Sequence, residues 1–157
     1  MTVNPKTVQG RRELSFQSLQ DVLNDVERLV SSPSTRTLGN WSLGELLNHL
    51  TMTMNNSIDG FQVKAPFIIR LIAPFFKNAA LKKITPGIKL PKSAESAAFP
   101  PSTSLQQSLQ DFRKAVQRTM MEYMEAPHPA FGRMTHDEWM QLHLRHSEMH
   151  LSFAVPE

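Results

Sequence analysis

The chain contains no cysteine. That removes disulfide frameworks, thiolate zinc fingers, iron–sulfur clusters and cysteine nucleophiles. Any metal site must therefore draw on His, Asp or Glu. Long apolar runs are also missing. The longest, from Ala65 to Phe76, is interrupted by Pro66, Arg70 and Pro74, well short of the ~18 apolar residues a spanning helix requires. The first residues carry no apolar stretch of the kind that marks a secretory signal, and no internal repeat or low-complexity tract is visible. These absences point to a soluble, cytoplasmic protein. With 157 residues, 40% of them hydrophobic and 20% charged, the chain suits a single domain over 1–157 with one core.

Negative charge is absent from one segment. Between Gly60 and Lys92 lie seven basic residues (Lys64, Arg70, Lys77, Lys82, Lys83, Lys89 and Lys92) and no acid. The remaining ten basic and fourteen acidic side chains leave the rest of the chain at −4, so the overall +3 describes a basic insert in a mildly acidic body.

Four segments repeat apolar residues at helical spacing. The first opens at Ser18, with Asp21 three residues on, and carries Leu19, Val22, Leu23, Val26, Leu29 and Val30 up to Pro33. The second opens with Ser42 and Glu45, carries Leu43, Leu46, Leu47, Leu50 and Met54, and stops near Gly60. The third follows Ser104 through Leu105, Leu109, Phe112, Val116, Met120 and Tyr123. The fourth opens with Thr135 and Glu138 and runs through Trp139, Leu142, His143, His146, Met149, His150 and Phe153. Three of these starts have capping-box form. Residues 61–101 form an insert between the second and third helices. It is read as one or two short helices from Pro66 to Ile84, broken at Pro74, followed by a proline-rich loop from Thr85 to Pro101. Strand evidence is confined to the alternation Glu13–Phe16. The pattern predicts an all-α protein, an antiparallel four-helix bundle, with a less regular helical packing as the alternative.

Three of the six histidines, His143, His146 and His150, fall on one side of the fourth helix. His146 and His150 are four residues apart, so their rings lie one above the other and can share one ion. His49, mid-helix among Leu46, Leu47 and Leu50, is the leading candidate for a third ligand. The spacing leaves the alternative open that these imidazoles form a solvated or core-satisfied face. His143 is assigned a supporting or pocket role rather than ligation. Glu45, one turn before His49, is a candidate base or ring-orienting group, although the capping acid is its simpler role. Trp139 lines a pocket or belongs to the core. His128 and His136 flank turns and are read as surface residues or a helix-start contact.

The stretch Asn40–Leu50, NWSLGELLNHL, resembles the second-helix motif of the DinB-like superfamily of metalloenzymes: Trp-Ser, then an acid among apolar residues, then His. His146–His150, HSEMH, resembles the His-x-x-x-His of its last helix. The stretch from His128 to His146 resembles an uncharacterised branch of unknown function, and the similarity runs from Arg11 to Phe153. The resemblance implies an antiparallel four-helix bundle in which His49, His146 and His150 hold a divalent ion, often zinc or nickel. It also implies thiol-dependent chemistry, as in those members that transfer or isomerise substrates with a low-molecular-weight thiol. The basic insert departs from the minimal bundle.

Three functions compete on this reading. The first is a metal-dependent transferase or hydrolase that activates a thiol or water for a small-molecule substrate. The second is a non-catalytic metal- or small-ligand-binding bundle. The third is membrane or partner binding through the basic apolar insert. Pro66 and Pro74 shorten any lipid-facing helix, so the insert's apolar side is expected to cap the bundle or meet a second copy in a homodimer rather than bind a membrane. No recognition-helix pattern accompanies the lysines, so nucleic acid is not expected.

Overall fold

A computed structural model describes residues 2–88 and 102–157. The chain is mostly helical, with a small two-stranded sheet. α1 spans Leu19–Ser31 and α2 spans Leu43–Asp59. Both begin on the capping boxes read from sequence: Ser18 and Ser42 each accept from the backbone N–H three residues on, and Asp21 and Glu45 return the bond to the cap. α2 ends at Gly60, whose φ of 98° suits a residue without Cβ.

In the insert, α3 (Phe67–Ile72) leads through a 3₁₀ turn (Ala73–Phe76) into α4 (Lys77–Lys82). This is the break expected at Pro74. Of the proline-rich loop, residues 89–101 lie outside the described residues. α5 spans Leu105–Met121 from an N-cap at Ser104, and α6 spans His136–Leu151 from the Thr135–Glu138 capping box.

α5 departs from the expected stripe. Met120 and Tyr123 are exposed, and the buried face runs through Ser108, Phe112, Ala115, Val116 and Thr119. Its polar members are satisfied locally: the Thr119 hydroxyl donates to the carbonyls of Ala115 and Val116. Small residues there let α2 approach α5 closely. A Cβ on Gly44 would lie 3.3 Å from the Ser108 Oγ.

The all-α expectation also needs correcting. β1 (Thr35–Thr37) pairs antiparallel with β2 (Ala154–Pro156), Arg36 opposite Val155. Strands of three residues are too short to show a period of two. Glu13–Phe16, which alternates, is not a strand. It lies along α6 instead, where Phe16 N–H donates to Glu148 and Arg145 donates to the Phe16 carbonyl.

The main core gathers Leu19, Val22, Val26 and Leu29 of α1, Leu46, Leu47, Leu50 and Met54 of α2, Phe112 and Val116 of α5, and Leu151 of α6. α2 packs along α5 and against α6, and α1 touches both α5 and α6. A second cluster, Met124, Met134, Trp139 and Leu142, sits under α4, which contributes Ala80 and Leu81. No described helix is long and apolar enough to cross a membrane.

Candidate metal centre

His49 is carried by α2 on the face that enters the core, and it is 7% exposed. His146 and His150 project from successive turns of α6. Packing of α2 against α6 brings together three rings separated by almost a hundred residues of chain. His49 Nε2 lies 3.2 Å from His146 Nε2, and His146 Nε2 lies 2.9 Å from His150 Nε2. The three rings meet edge-on or tilted, with centroids 4.5–5.1 Å apart.

This convergence is chemically awkward without an ion. A neutral imidazole has one N–H and one in-plane lone pair, on different nitrogens. The Nε2 of His146 faces two other Nε2 atoms, yet it can make one good hydrogen bond at that position. Three lone pairs turned toward a common cation would resolve the conflict. The separations suit this: ligands on a tetrahedral ion at ~2.0–2.1 Å stand about 3.3 Å apart. The three histidines offer one ligand atom each, all within 4.8 Å of one another.

The electrostatics keep the rings ready to ligate. Burial pushes His146 well below its ordinary value, and the neighbouring His150 and His49 push it further. Burial does the same to His150, with help from His49 and the Arg11 guanidinium. Both are therefore uncharged at neutral pH, the form that binds metal.

Other side chains fall into place around this cluster. Trp41 stacks on His150, with centroids 5.4 Å apart and planes 10° from parallel, and it also meets His49 at 5.0 Å. Sequence reading passed over it as a site residue. Its signal was its place immediately before the Ser42 cap, where an apolar residue folds back on the first turn. Arg11 donates to Ser152 Oγ and lies over the Phe153 ring at 4.3 Å.

Glu45 is engaged at the N-cap of α2. Its carboxylate accepts from the Ser42 N–H at 2.7 Å and the Ser42 hydroxyl at 2.8 Å, which is the capping role. His143 stands apart. It is 2% exposed and stacked on Trp139, with its Nε2 2.9 Å from Ser57 Oγ. Because that hydroxyl donates to the Met54 carbonyl, it accepts from the ring N–H. Burial, then the nearby His128, pushes His143 down to about 3.

Trp139 is core, 1% exposed, with its indole N–H donating to the Ala126 carbonyl. His128 is no surface residue. Its ring lies on Phe131 and near Trp139, its Nδ1 accepts from the N–H groups of Ala130 and Phe131, and burial pushes it down to about 4. His136 makes a helix-start contact, accepting from Met124 N–H and stacking on Tyr123.

No curated protein and no solved structure matches this chain. A family profile described as protein of unknown function matches residues 8–157. On that match, which takes in α1 through β2 and all three clustered histidines, the chain belongs to the DUF1569 family.

Proposed function

We propose that His49, His146 and His150 hold a divalent metal ion, zinc or nickel, in an antiparallel four-helix bundle of the DinB-like kind built from α1, α2, α5 and α6. The observation that carries the reading is the meeting of three imidazoles from two helices, with the Nε2 atoms of His49 and His150 each within 3.2 Å of His146 Nε2. When bound, such an ion lowers the pKa of a ligated water or thiol and so supplies a nucleophile near neutral pH. The histidines fix the ion's position. Trp41 covers the outer face of His150 and limits the side from which a small substrate approaches. A thiol would come as a low-molecular-weight cosubstrate, because the chain has none of its own. The reaction class is transfer or hydrolysis on a small molecule.

One observation favours a second reading, a bundle that binds metal or a small ligand without turnover. Glu45, the acid nearest His49 in sequence, is engaged at its cap, and among the described residues no carboxylate joins the three-histidine group. Turnover of thiol conjugates or of model esters and amides by the metal-loaded protein separates the two readings.

Elemental analysis of tag-free protein, reloaded with zinc or nickel and desalted, tests the site that both readings share. One ion per chain is expected for wild type and for His136→Ala, and none for His150→Ala. Equal metal in both variants would sink the ligand assignment.

A further inference from the structure

The insert turns its most apolar residues outward. α3 buries none of its six side chains. Ile68, Ile72, Phe75 and Phe76 are 68%, 52%, 85% and 62% exposed. At about 100° per residue, the apolar positions of α3 sweep about 200° of its circumference, with Arg70 on the opposite side. Phe67, Arg70, Leu71 and Pro74 line an open cleft of about 180 Å³ against the turn at 130–132. That leaves the two isoleucines and the two phenylalanines pointing away from the body. A helix apolar over so much of its surface is one that gets buried, and the expectation that it caps the other helices is not what the structure shows. The platform is nevertheless anchored. α4 packs on α6 through the Ala80–Leu81 side, and Lys77 Nζ lies 2.6 Å from Glu138 Oε1.

The charge around this patch has one sign. Between residues 60 and 88 there are five basic side chains and no acid. Apart from Lys77, none of those five has an ion-pair partner among the described residues, and Lys64, Arg70, Lys82 and Lys83 are exposed. A second copy is a poor occupant. A two-fold contact would set this cationic surface against itself, with four unneutralised cations on each side. The complement is a surface that is anionic at its edge and apolar below, and soft enough to receive bulky side chains without a preformed groove.

We propose that α3 and its 3₁₀ turn dock on an anionic lipid bilayer, with Ile68, Ile72, Phe75 and Phe76 entering the headgroup–acyl boundary while Lys82 and Lys83 meet lipid phosphates. The attachment is peripheral, since six residues of helix rise only about 9 Å. It is independent of the metal site.

Co-sedimentation with vesicles tests it, using phosphatidylcholine and phosphatidylglycerol in equal parts against phosphatidylcholine alone. The full chain is expected to bind the mixed vesicles at low salt, at least about tenfold more weakly at high salt, and at least about tenfold more weakly to the neutral vesicles. Phe75→Ser with Ile72→Ser should reduce binding by about tenfold or more. Lys82→Glu with Lys83→Glu should abolish the preference for anionic lipid. None of these side chains is buried, so melting temperatures should stay at the wild-type value, and loss of binding would not reflect unfolding. No sedimentation with the mixed vesicles at low salt overturns the proposal. So does wild-type binding by the serine variant. So does concentration-dependent dimerisation that the serine variant abolishes while vesicles capture nothing, which would make a second copy the occupant.

Discussion

An imidazole accepts a proton in water near pH 6.5, and it does so less readily where burial disfavours its charged form. His128 is held this way, with an ordinary value near 6.5 and a folded value of about 4. Its folded value lies below its unfolded one, so the unfolded chain binds the proton first. Its cost is absent above about pH 6.5 and grows as pH falls toward 4. We predict that His128→Asn, which keeps an acceptor for the Ala130 and Phe131 N–H groups, loses less stability than wild type between pH 7 and pH 5, by about 2 kcal/mol. Urea unfolding at the two pH values measures it, and parallel losses would contradict the burial of the His128 ring. The sequence placed His128 on the surface because it lies between prolines at a turn. Of the aromatic block that covers it, Phe131 is local, but Phe61 comes from just past α2 and Trp139 from α6. The His146–His150 pair was legible because i, i+4 spacing is a property of one helix. Their meeting with His49 depends on how α2 and α6 pack, which periodicity alone does not reveal.

Within elements, the capping boxes carried the most readable information. Ser18, Ser42, Ser104 and Thr135 are all N-caps, within a residue or so of the starts read from sequence. The bond is local, so its residues stand at fixed spacing. Apolar periodicity located α1 and α2 but misread the buried face of α5. There the buried face is completed by Ser108 and Thr119, whose hydroxyls bond back to helix carbonyls, and a hydrophobic count does not see them. The sheet between β1 and β2 was invisible because it joins two three-residue segments from opposite parts of the chain. Glu45 gives an element-scale prediction. Glu45→Ala and Ser42→Ala should each lower stability by about 1 kcal/mol, by breaking one capping box, and neither should change zinc affinity. A tenfold loss of zinc affinity in Glu45→Ala alone would mean that this carboxylate orients His49 rather than capping α2.

Across the whole molecule, the N-terminal segment ties α1 to the end of α6. Arg12 donates to both oxygens of Asp25, at 2.8 and 2.7 Å, and to the carbonyls of Leu151 and Ala154. Asp25 is 8% exposed. Burial raises its carboxyl, but hydrogen bonds from Arg12 and Arg28 outweigh that and hold it below the ordinary range. Its folded value is depressed, so its contribution is present above about pH 3.9 and lost as pH falls through the folded value. Asp25→Asn leaves Arg12 buried without its charge partner and should cost about 3 kcal/mol at pH 7. The gap from wild type should close in acid. A denaturation midpoint unchanged at pH 7 would show that the strap adds nothing to stability.

The same scale holds the central claim, because the three histidines join α2 to α6 across the molecule. Calorimetric titration of metal-free protein with zinc tests it most directly. One ion per chain is predicted for wild type, with affinity falling at least about a hundredfold in His49→Ala and His150→Ala as each removes a ligand. Saturated with zinc at about a hundred times its dissociation constant, wild type should gain about 2.7 kcal/mol of stability that chelator removes. Zinc binding by His49→Ala and His150→Ala equal to that of wild type would contradict the account.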